Sequence, residues 1–238
     1  MNKSTLTRFI EKYHLGGNTS SVVLNSKDNS LSTRFVSRDK SLLGKVILDN
    51  WTFEDVDMGV YDTDQFLRLL SVLSDDIQLR LNVIDNKAVS LMLSDNKASV
   101  NFMLSDLSVI NKPPEMKRVP EFEVKIKVDT DFIKKFVVGK TALQDTDTFT
   151  VLTNDDVKVV IGHSNINTNR VTLPVETETY EEIENVSFNA ELFKNVLIAN
   201  KECETATLEI SSEGLARINF KIDNYDATYY LVAVADVD

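Results

Sequence analysis

Residues 60–79, VYDTDQFLRLLSVLSDDIQL, change their pattern of apolar and polar positions twice. A strand-like start ends at Asp62, a candidate N-cap, after which apolar residues recur at helical spacing. These apolar residues are Phe66, Leu69, Leu70 and Leu73. From Ile77 onward the residues alternate as in a half-buried strand. The stretch therefore predicts a strand, a helix and a strand, with Arg68 on the outward face of the helix.

The same order of cap, polar residue and apolar residues occurs four times along the chain. The cap positions are Asn2, Asp62, Asp129 and Asn189, at intervals of 60, 67 and 60 residues. After each predicted helix, two alternating runs are separated by a turn. These runs predict strands at 20–25 and 31–37, 77–84 and 88–94, 147–153 and 157–162, and 206–211 and 215–222. We expect four repeats of a helix followed by a strand meander, with each helix laying its apolar stripe on a sheet.

The prolines indicate where the chain divides. Three of the four prolines fall in residues 108–122, SVINKPPEMKRVPEF. Proline cannot donate to a sheet ladder and keeps the preceding residue extended, so this segment is typical of a linker. We expect two similar domains, 1–107 and 123–238, joined by a connector at 108–122.

Composition is typical of a folded globular protein. The chain has 238 residues, of which 42% are hydrophobic and 26% are charged, enough to bury a core. A single cysteine, Cys203, excludes an intrachain disulfide framework. The N-terminus has no apolar signal region, and no apolar stretch is long enough to span a membrane. We expect a soluble, cytoplasmic protein.

The net charge of −11 argues against a DNA-binding surface that covers the whole protein. The predicted helices nevertheless carry cations at matched outward positions. The residues six positions after the caps are Arg8, Arg68, Lys135 and the uncharged Asn195. Lys134 and Lys194 occupy the position just before these on the third and fourth helices. Further along the helices come Lys12, Lys140 and Lys201. Acids in the first turns, Asp64, Asp131 and Glu191, suit the positive end of the helix dipole. The cations are either solvated helix faces or a basic surface for a polyanion.

Catalytic and metal-binding patterns are missing from the sequence. His14, His163 and Cys203 have no metal-ligand spacing, and the Asp pairs at 75–76 and 155–156 fall at predicted turns. With seven glycines in all, the chain contains no phosphate-binding or dinucleotide fingerprint. We expect no enzymatic activity, no cofactor and no metal.

The stretch VYDTDQFLRLLSVLSDD near residue 60, together with the acidic C-terminus TYYLVAVADVD, resembles the sliding clamps of tailed myophages. These proteins are DNA polymerase processivity factors. The resemblance implies an α+β DNA-clamp fold, with two similar domains that each pack two helices on antiparallel sheets. It implies a head-to-tail homotrimer that encircles double-stranded DNA without sequence preference. It also implies an ATP-dependent clamp loader that opens the ring, and a DNA polymerase that binds it through a short peptide.

The size of such a ring agrees with three chains. Twelve helices packed at about 10 Å give a circle roughly 38 Å across, which leaves a hole of roughly 28 Å after the helix radii are removed. A DNA duplex of about 20 Å fits this hole, whereas the eight helices of a dimer would leave only about 15 Å.

The resemblance also implies two sets of functional residues. Arg8, Arg68, Lys134, Lys135 and Lys194 would line the hole, with Lys12, Lys140 and Lys201 as secondary candidates. An apolar pocket for the partner peptide would contain Val109, Ile110, Pro113, Pro114, Val232 and Val234. The alternative for this second set is that its members are buried anchors of the connector.

Two other functions are compatible with the sequence. One is a monomeric processivity factor of similar fold that holds DNA on an open basic face. The other is a phage structural or carbohydrate-binding β module, in which the helix cations only face solvent. Each alternative predicts a different mass or a different response to DNA.

Overall fold

The computed structural model describes residues 1–85, 87–164, 166 and 168–234. The chain forms two compact units. Unit 1 contains Met1–Arg38 and Gly44–Pro114, and unit 2 contains Asp39–Leu43 and Glu115–Asp238.

Unit 1 contains two helices and two sheets. Its helices are α1 (Lys3–His14) and α2 (Thr63–Ser71). Its strands are β1 (Val22–Lys27), β2 (Ser30–Val36), β3 (Leu42–Asp49), β4 (Val56–Val60), β5 (Gln78–Ile84), β6 (Lys87–Ser94) and β7 (Ser99–Met103). They form sheets of order β3-β2-β1-β4 and β5-β6-β7. The first two residues of β3 belong to unit 2.

Unit 2 repeats this arrangement. Its helices are α3 (Thr130–Ala142) and α4 (Ala190–Ala199). Its strands are β8 (Val124–Asp129), β9 (Thr148–Leu152), β10 (Lys158–Ile161), β11 (Val171–Pro174), β12 (Thr177–Tyr180), β13 (Val186–Asn189), β14 (Thr205–Ser211), β15 (Leu215–Ile222) and β16 (Tyr225–Val232). Their order is β12-β8-β14-β15-β16 in one sheet and β11-β10-β9-β13 in the other. The predicted α+β class is confirmed.

The four predicted N-caps are confirmed. The side chain of Asn2 accepts a hydrogen bond from the Ser4 N–H at 2.8 Å. The other three caps each accept from the N–H three residues ahead, at 2.8–2.9 Å, and these caps are Asp62, Asp129 and Asn189. Each bond satisfies a backbone donor that the first helical turn leaves open. The caps fix where every helix begins.

At least three strands, rather than the predicted two, follow each helix. The additional third strands are β3, β7, β11 and β16. The strand before a helix pairs with the first strand of the other repeat in the same unit, as β4 does with β1, β13 with β9 and β8 with β14. Next to β5 this place is taken by Met1 and Asn2, since Ile77 N–H donates to the Met1 carbonyl at 2.9 Å and Asn2 bridges Asp76.

The apolar stripes of the helices form the core of each unit. Ten of the twelve apolar positions that define the repeat are buried, and only Leu69 and Val137 are partly exposed. In unit 2, the ring of Phe136 lies 5.3 Å from that of Phe149 and 4.9 Å from that of Phe193, in edge-to-face contacts. None of the helices in the described residues has the length and apolar character needed to cross a membrane.

Candidate nucleic-acid interface

Each unit presents one pair of adjacent helices. In unit 1, α1 packs against α2, and in unit 2, α3 packs against α4. The last turn of the first helix lies beside the first turn of the second: His14 Nε2 is 3.2 Å from Asp64 Oδ1, and Lys140 Nζ is 3.4 Å from Glu191 Oε2. The apolar stripes are buried, so the cations near the middle of each helix can lie on its outward face.

The cations of unit 1 differ in their exposure. The Arg68 side chain on α2 is 69% exposed, and its Nη2 lies 4.0 Å from Asp62 Oδ2. Arg8, at the matching position of α1, is partly exposed. The outward placement predicted for Arg68 is therefore observed, whereas the Arg8 side chain is partly covered by neighbouring residues.

Helix α3 carries two exposed cations next to each other. Lys134 is exposed, and the Lys135 side chain is 62% exposed. Lys135 Nζ lies 2.7 Å from Asp131 Oδ2, one turn earlier on the same helix. The hydrogen bond to Asp131 raises the pKa of Lys135, and the negative charge of that carboxylate acts in the same direction. Both lysine side chains are exposed and can reach a ligand in solvent.

Helix α4 presents less charge. The Lys194 side chain is only 18% exposed, and its Nζ lies 2.6 Å from Glu191 Oε1. Asn195, at the position matching Arg68, is partly exposed and uncharged. Lys201 is exposed but follows the C-cap Asn200, so it lies beyond the end of the helix.

The structure corrects the prediction for Lys12 and Lys140. Lys12 is fully buried and Lys140 is 4% exposed, so neither lies on an outward face. Lys140 follows its cap by eleven residues; at about 100° per residue this places it within the apolar stripe. Its Nζ donates to the carbonyls of Leu143 at 3.4 Å and Gln144 at 3.1 Å. These contacts give Lys140 a structural role at the C-terminal end of α3.

Three of the outward cations have an acid of their own helix close by. The pairs are Arg68 with Asp62, Lys135 with Asp131, and Lys194 with Glu191. Ion pairs near the surface are weak because water screens them, so a phosphate can compete for these cations. Such a surface can attract a polyanion weakly and without sequence preference.

The residues predicted for a partner pocket are only partly accessible. Val109 is 57% exposed, Pro114 is exposed and Pro113 is partly exposed, whereas Ile110 is 4% exposed. The Pro114 carbonyl accepts a hydrogen bond from Arg34 Nη2 at 2.8 Å. Ile110 therefore matches the alternative of a buried connector anchor and is removed from the pocket.

The other two pocket residues belong to unit 2. Val232 is 50% exposed and Val234 is 38% exposed. Their backbone N–H groups donate to the carbonyls of Ser41 and Ser187, each at 2.8 Å. Backbone bonding fixes both residues while their side chains stay accessible.

Sequence reasoning missed one function of the first-turn acids. Asp64 and Glu191 each stand two residues after an N-cap, and each contacts the last turn of the neighbouring helix through His14 or Lys140. The equal position in the repeat was a visible signal, but the contact itself depends on how the helices pack. Among the described residues, no group of three His, Cys, Asp or Glu side chains could hold a metal ion.

Comparison with known proteins gives sequence and fold relatives. No model of a known protein family matches the chain. The curated protein "Sliding clamp" of Escherichia phage RB69 is 24% identical over 187 residues, which is 76% of this chain and 77% of that protein.

Two solved structures share the fold at low sequence identity. The first is the Proliferating Cellular Nuclear Antigen of Entamoeba histolytica, with a TM-score of 0.73, 15% identity, and 98% of this chain and 96% of that chain covered. The second is the PCNA2–PCNA3 complex of Sulfolobus tokodaii, also with a TM-score of 0.73 and 15% identity, covering 99% and 98% of the two chains. These findings confirm the resemblance to sliding clamps and the DNA-clamp fold.

Proposed function

We propose that this protein, which has the DNA-clamp fold and a sliding clamp among its sequence relatives, forms a ring around duplex DNA and tethers the replicative DNA polymerase for processive synthesis. The observation that carries the proposal is the likeness over nearly the whole chain, which includes both units. A tether needs no catalytic group, so we expect no enzymatic activity. This role places the protein in the cytoplasm of the bacterial host.

The proposed DNA-facing residues are the outward cations of the four helices. They are Arg8, Arg68, Lys134, Lys135 and Lys194, with Lys201 beyond the end of α4. A clamp that slides should make few strong phosphate contacts, because each neutralised phosphate strengthens binding. Cations that share their charge with a nearby acid suit this requirement. The acidic remainder of a chain with net charge −11 opposes non-specific contact with DNA.

The sheet edges support a head-to-tail ring. Unit 2 includes residues 39–43. Val232, at the end of β16, donates a backbone hydrogen bond to the carbonyl of Ser41 in this segment. Residues 39–43 contain the start of β3, the third strand of the first repeat. Strands β3, β7, β11 and β16 are each the third strand after a helix, so β7 takes in unit 1 the place that β16 takes in unit 2, and β11 takes in unit 2 the place of β3. Strands β7 and β11 both lie at sheet edges in their units.

We therefore propose that β7 of one copy pairs with β11 of the next. Each copy then offers a β7 edge to one neighbour and a β11 edge to the other, so the contact is heterologous. Such contacts form a closed ring when the rotation between copies allows it. Four helices per chain and a hole wide enough for a duplex give three copies. The resulting assembly is a homotrimer.

The proposed partners follow from this role. An ATP-dependent clamp loader would open the ring, and the polymerase would bind it through a short peptide. The side chains accessible to such a peptide are Val109, Pro113 and Pro114 in unit 1, and Val232 and Val234 in unit 2.

Mass and topology on DNA test the proposal. Three copies of 26.8 kDa give about 80 kDa, which sedimentation at micromolar concentration would detect. Clamps loaded onto circular DNA should stay bound in high salt and leave when the DNA is cut. A mass of one chain, with DNA binding that declines steeply with salt, would instead indicate the monomeric factor.

A pair of variants tests the edge contact. Met103 ends β7 and is 64% exposed, whereas Met92 lies on the inner strand β6 and is 36% exposed. We expect Met103→Glu to shift the mass toward a single chain, because it puts a charge beside the proposed joint. The control Met92→Glu should keep the mass of the trimer, and equal behaviour of the two variants would contradict the assignment of β7.

A further inference from the structure

The two helix pairs are joined at the same place by different basic residues. In unit 1, His14 Nε2 in the last turn of α1 lies 3.2 Å from Asp64 Oδ1 in the first turn of α2. In unit 2, Lys140 Nζ in the last turns of α3 lies 3.4 Å from Glu191 Oε2 in the first turn of α4. Asp64 and Glu191 both follow their N-caps by two residues. We call these two contacts the helix ties.

The tie of unit 2 is an ion pair that is largely shielded from solvent on its lysine side. Only 5% of the Lys140 side chain is exposed, and its ammonium also bonds two carbonyls at the end of α3. Burial alone would raise the pKa of Glu191, but the bonds and charges of Lys194 and Lys140 outweigh it and lower that pKa. Glu191 therefore keeps its negative charge to a lower pH than an ordinary glutamate. Glu191 also holds Lys194, which makes it the centre of this tie.

The tie of unit 1 is altered when His14 takes up a proton. His14 is buried, and burial is the largest influence on its pKa, which it lowers. The carboxylates of Asp64 on α2 and of the N-cap Asp62 act against this effect, and Arg38 after β2 adds to it. The imidazole is therefore neutral at neutral pH. Protonation would place a charge at a buried position that is influenced by two carboxylates and one guanidinium.

We propose that Asp64 and Glu191 are positioning residues that hold the start of each second helix against the end of the first, and that His14 makes the tie of unit 1 sensitive to acid while Lys140 makes that of unit 2 insensitive. The sign follows from linkage. The folded state has the lower pKa at His14, so the unfolded state takes up the proton first. Stability from this group is present above the usual histidine pKa of about 6.5 and is lost as the pH falls through the folded-state value.

Hydrogen exchange of the free protein tests this inference without DNA, so its outcome is independent of the proposed function. Amide protection would be measured by mass spectrometry at pH 7.5 and 5.0, corrected for the intrinsic exchange rates. We expect protection of α1 and α2 to decline by up to about tenfold per pH unit, the effect of one proton, while α3 and α4 change less. An equal decline in both helix pairs would overturn the proposal.

Two variants distinguish an effect of the helix ties from a general loss of stability in acid. His14→Gln keeps a polar side chain beside Asp64 but cannot titrate, so the decline in α1 and α2 should disappear. Lys140→His should give α3 and α4 an acid sensitivity that they lack in the parent chain. An unchanged decline in His14→Gln, or pH-insensitive α3 and α4 in Lys140→His, would overturn the inference. The second variant decides the matter alone if the first does not fold.

Discussion

The helix pair of unit 1 and the helix pair of unit 2 share their framework but differ in their charges. Both begin at Asn or Asp caps and bury the same repeat positions. Helix α3 exposes two neighbouring lysines, Lys134 and Lys135, whereas α1 has a partly exposed Arg8 and a buried Lys12. The repeat therefore preserves the residues that form the fold, and the charged positions vary. If the helices surround DNA, the two units contribute unequally to the contact.

The cores of the two units differ in a similar way. Phe136 in unit 2 belongs to a cluster of rings that includes Phe149 and Phe193. Phe66, at the start of the stripe of α2, stacks on Phe102 with ring centroids 4.5 Å apart. Removing a ring from the larger cluster leaves a cavity with more aromatic neighbours, so the same truncation should cost more in unit 2.

The largest expected effect is the loss of Phe136. Phe136→Ala should destabilise unit 2 by about 3–5 kcal/mol, because the side chain is fully buried and its neighbours cannot collapse into the space. Phe66→Ala should lower the stability of unit 1 toward the smaller end of that range. Urea unfolding followed by far-UV circular dichroism measures both changes.

The single tryptophan makes this comparison specific to one unit. Trp51 is 3% exposed and belongs to unit 1, so its fluorescence reports on that unit. Phe66→Ala should lower the urea midpoint seen by fluorescence, and Phe136→Ala should leave it nearly unchanged. A common midpoint in every variant would show instead that the chain unfolds as one cooperative body.

The next effect concerns the proposed contact with DNA. Lys134→Glu combined with Lys135→Glu should weaken affinity for duplex DNA, with the salt slope reduced by about 2, because two phosphate contacts are lost. Arg68→Glu should reduce the slope by about 1. Binding to a short duplex at several salt concentrations measures these slopes, and polymerase run length measures their consequence.

A matched control for charge reversal lies on the sheet of unit 2 that contains β15. The Lys221 side chain on β15 is 77% exposed and is 4.0 Å from Asp226, an ion pair much like that of Arg68. Lys221→Glu changes the net charge as Arg68→Glu does but should leave polymerase run length unchanged. If the two variants reduce run length equally, net charge rather than the helix face is responsible.

The sequence predicted the elements of the fold because they depend on neighbouring residues. Caps and apolar spacing located all four helices, and the alternating run at 215–222 matches β15. The third strand of each repeat was missed. In the case of β11 the strand has only four residues and ends in Pro174, too short for alternation to identify it.

The site was less predictable because it depends on distant residues. The spacing of Lys140 from its cap already places it in the apolar stripe, but its contact with Glu191, which lies 51 residues later, depends on how the helices pack. The burial of Lys12 follows from packing against other elements, which a single helical pattern does not contain. Exposure of a cation is a tertiary property, whereas its place along a helix is a local one.

A smaller effect is expected at the N-caps. Asp129→Ala should destabilise unit 2 by about 1 kcal/mol, because the Phe132 N–H loses its acceptor. Asp62→Ala should have a similar effect on unit 1, since its bond to the Gln65 N–H has the same 2.8 Å length. Thermal unfolding measures both. Asp156→Ala, in the exposed turn before β10, is a control that removes an acid without removing a cap.

The smallest expected effect is the coupling within an exposed ion pair, and it distinguishes the two helices of unit 2. A double-mutant cycle for Asp131 and Lys135 on α3 should give only a weak coupling, since both side chains are more than half exposed. The same cycle for Glu191 and Lys194 on α4 should give a larger value, because Lys194 is mostly shielded from solvent and Glu191 also holds Lys140. Replacing Lys140 with Met should then change the α4 coupling and leave the α3 coupling as it was. Equal couplings in all backgrounds would mean that Glu191 acts only within its own helix and that the ends of α3 and α4 are joined by packing alone.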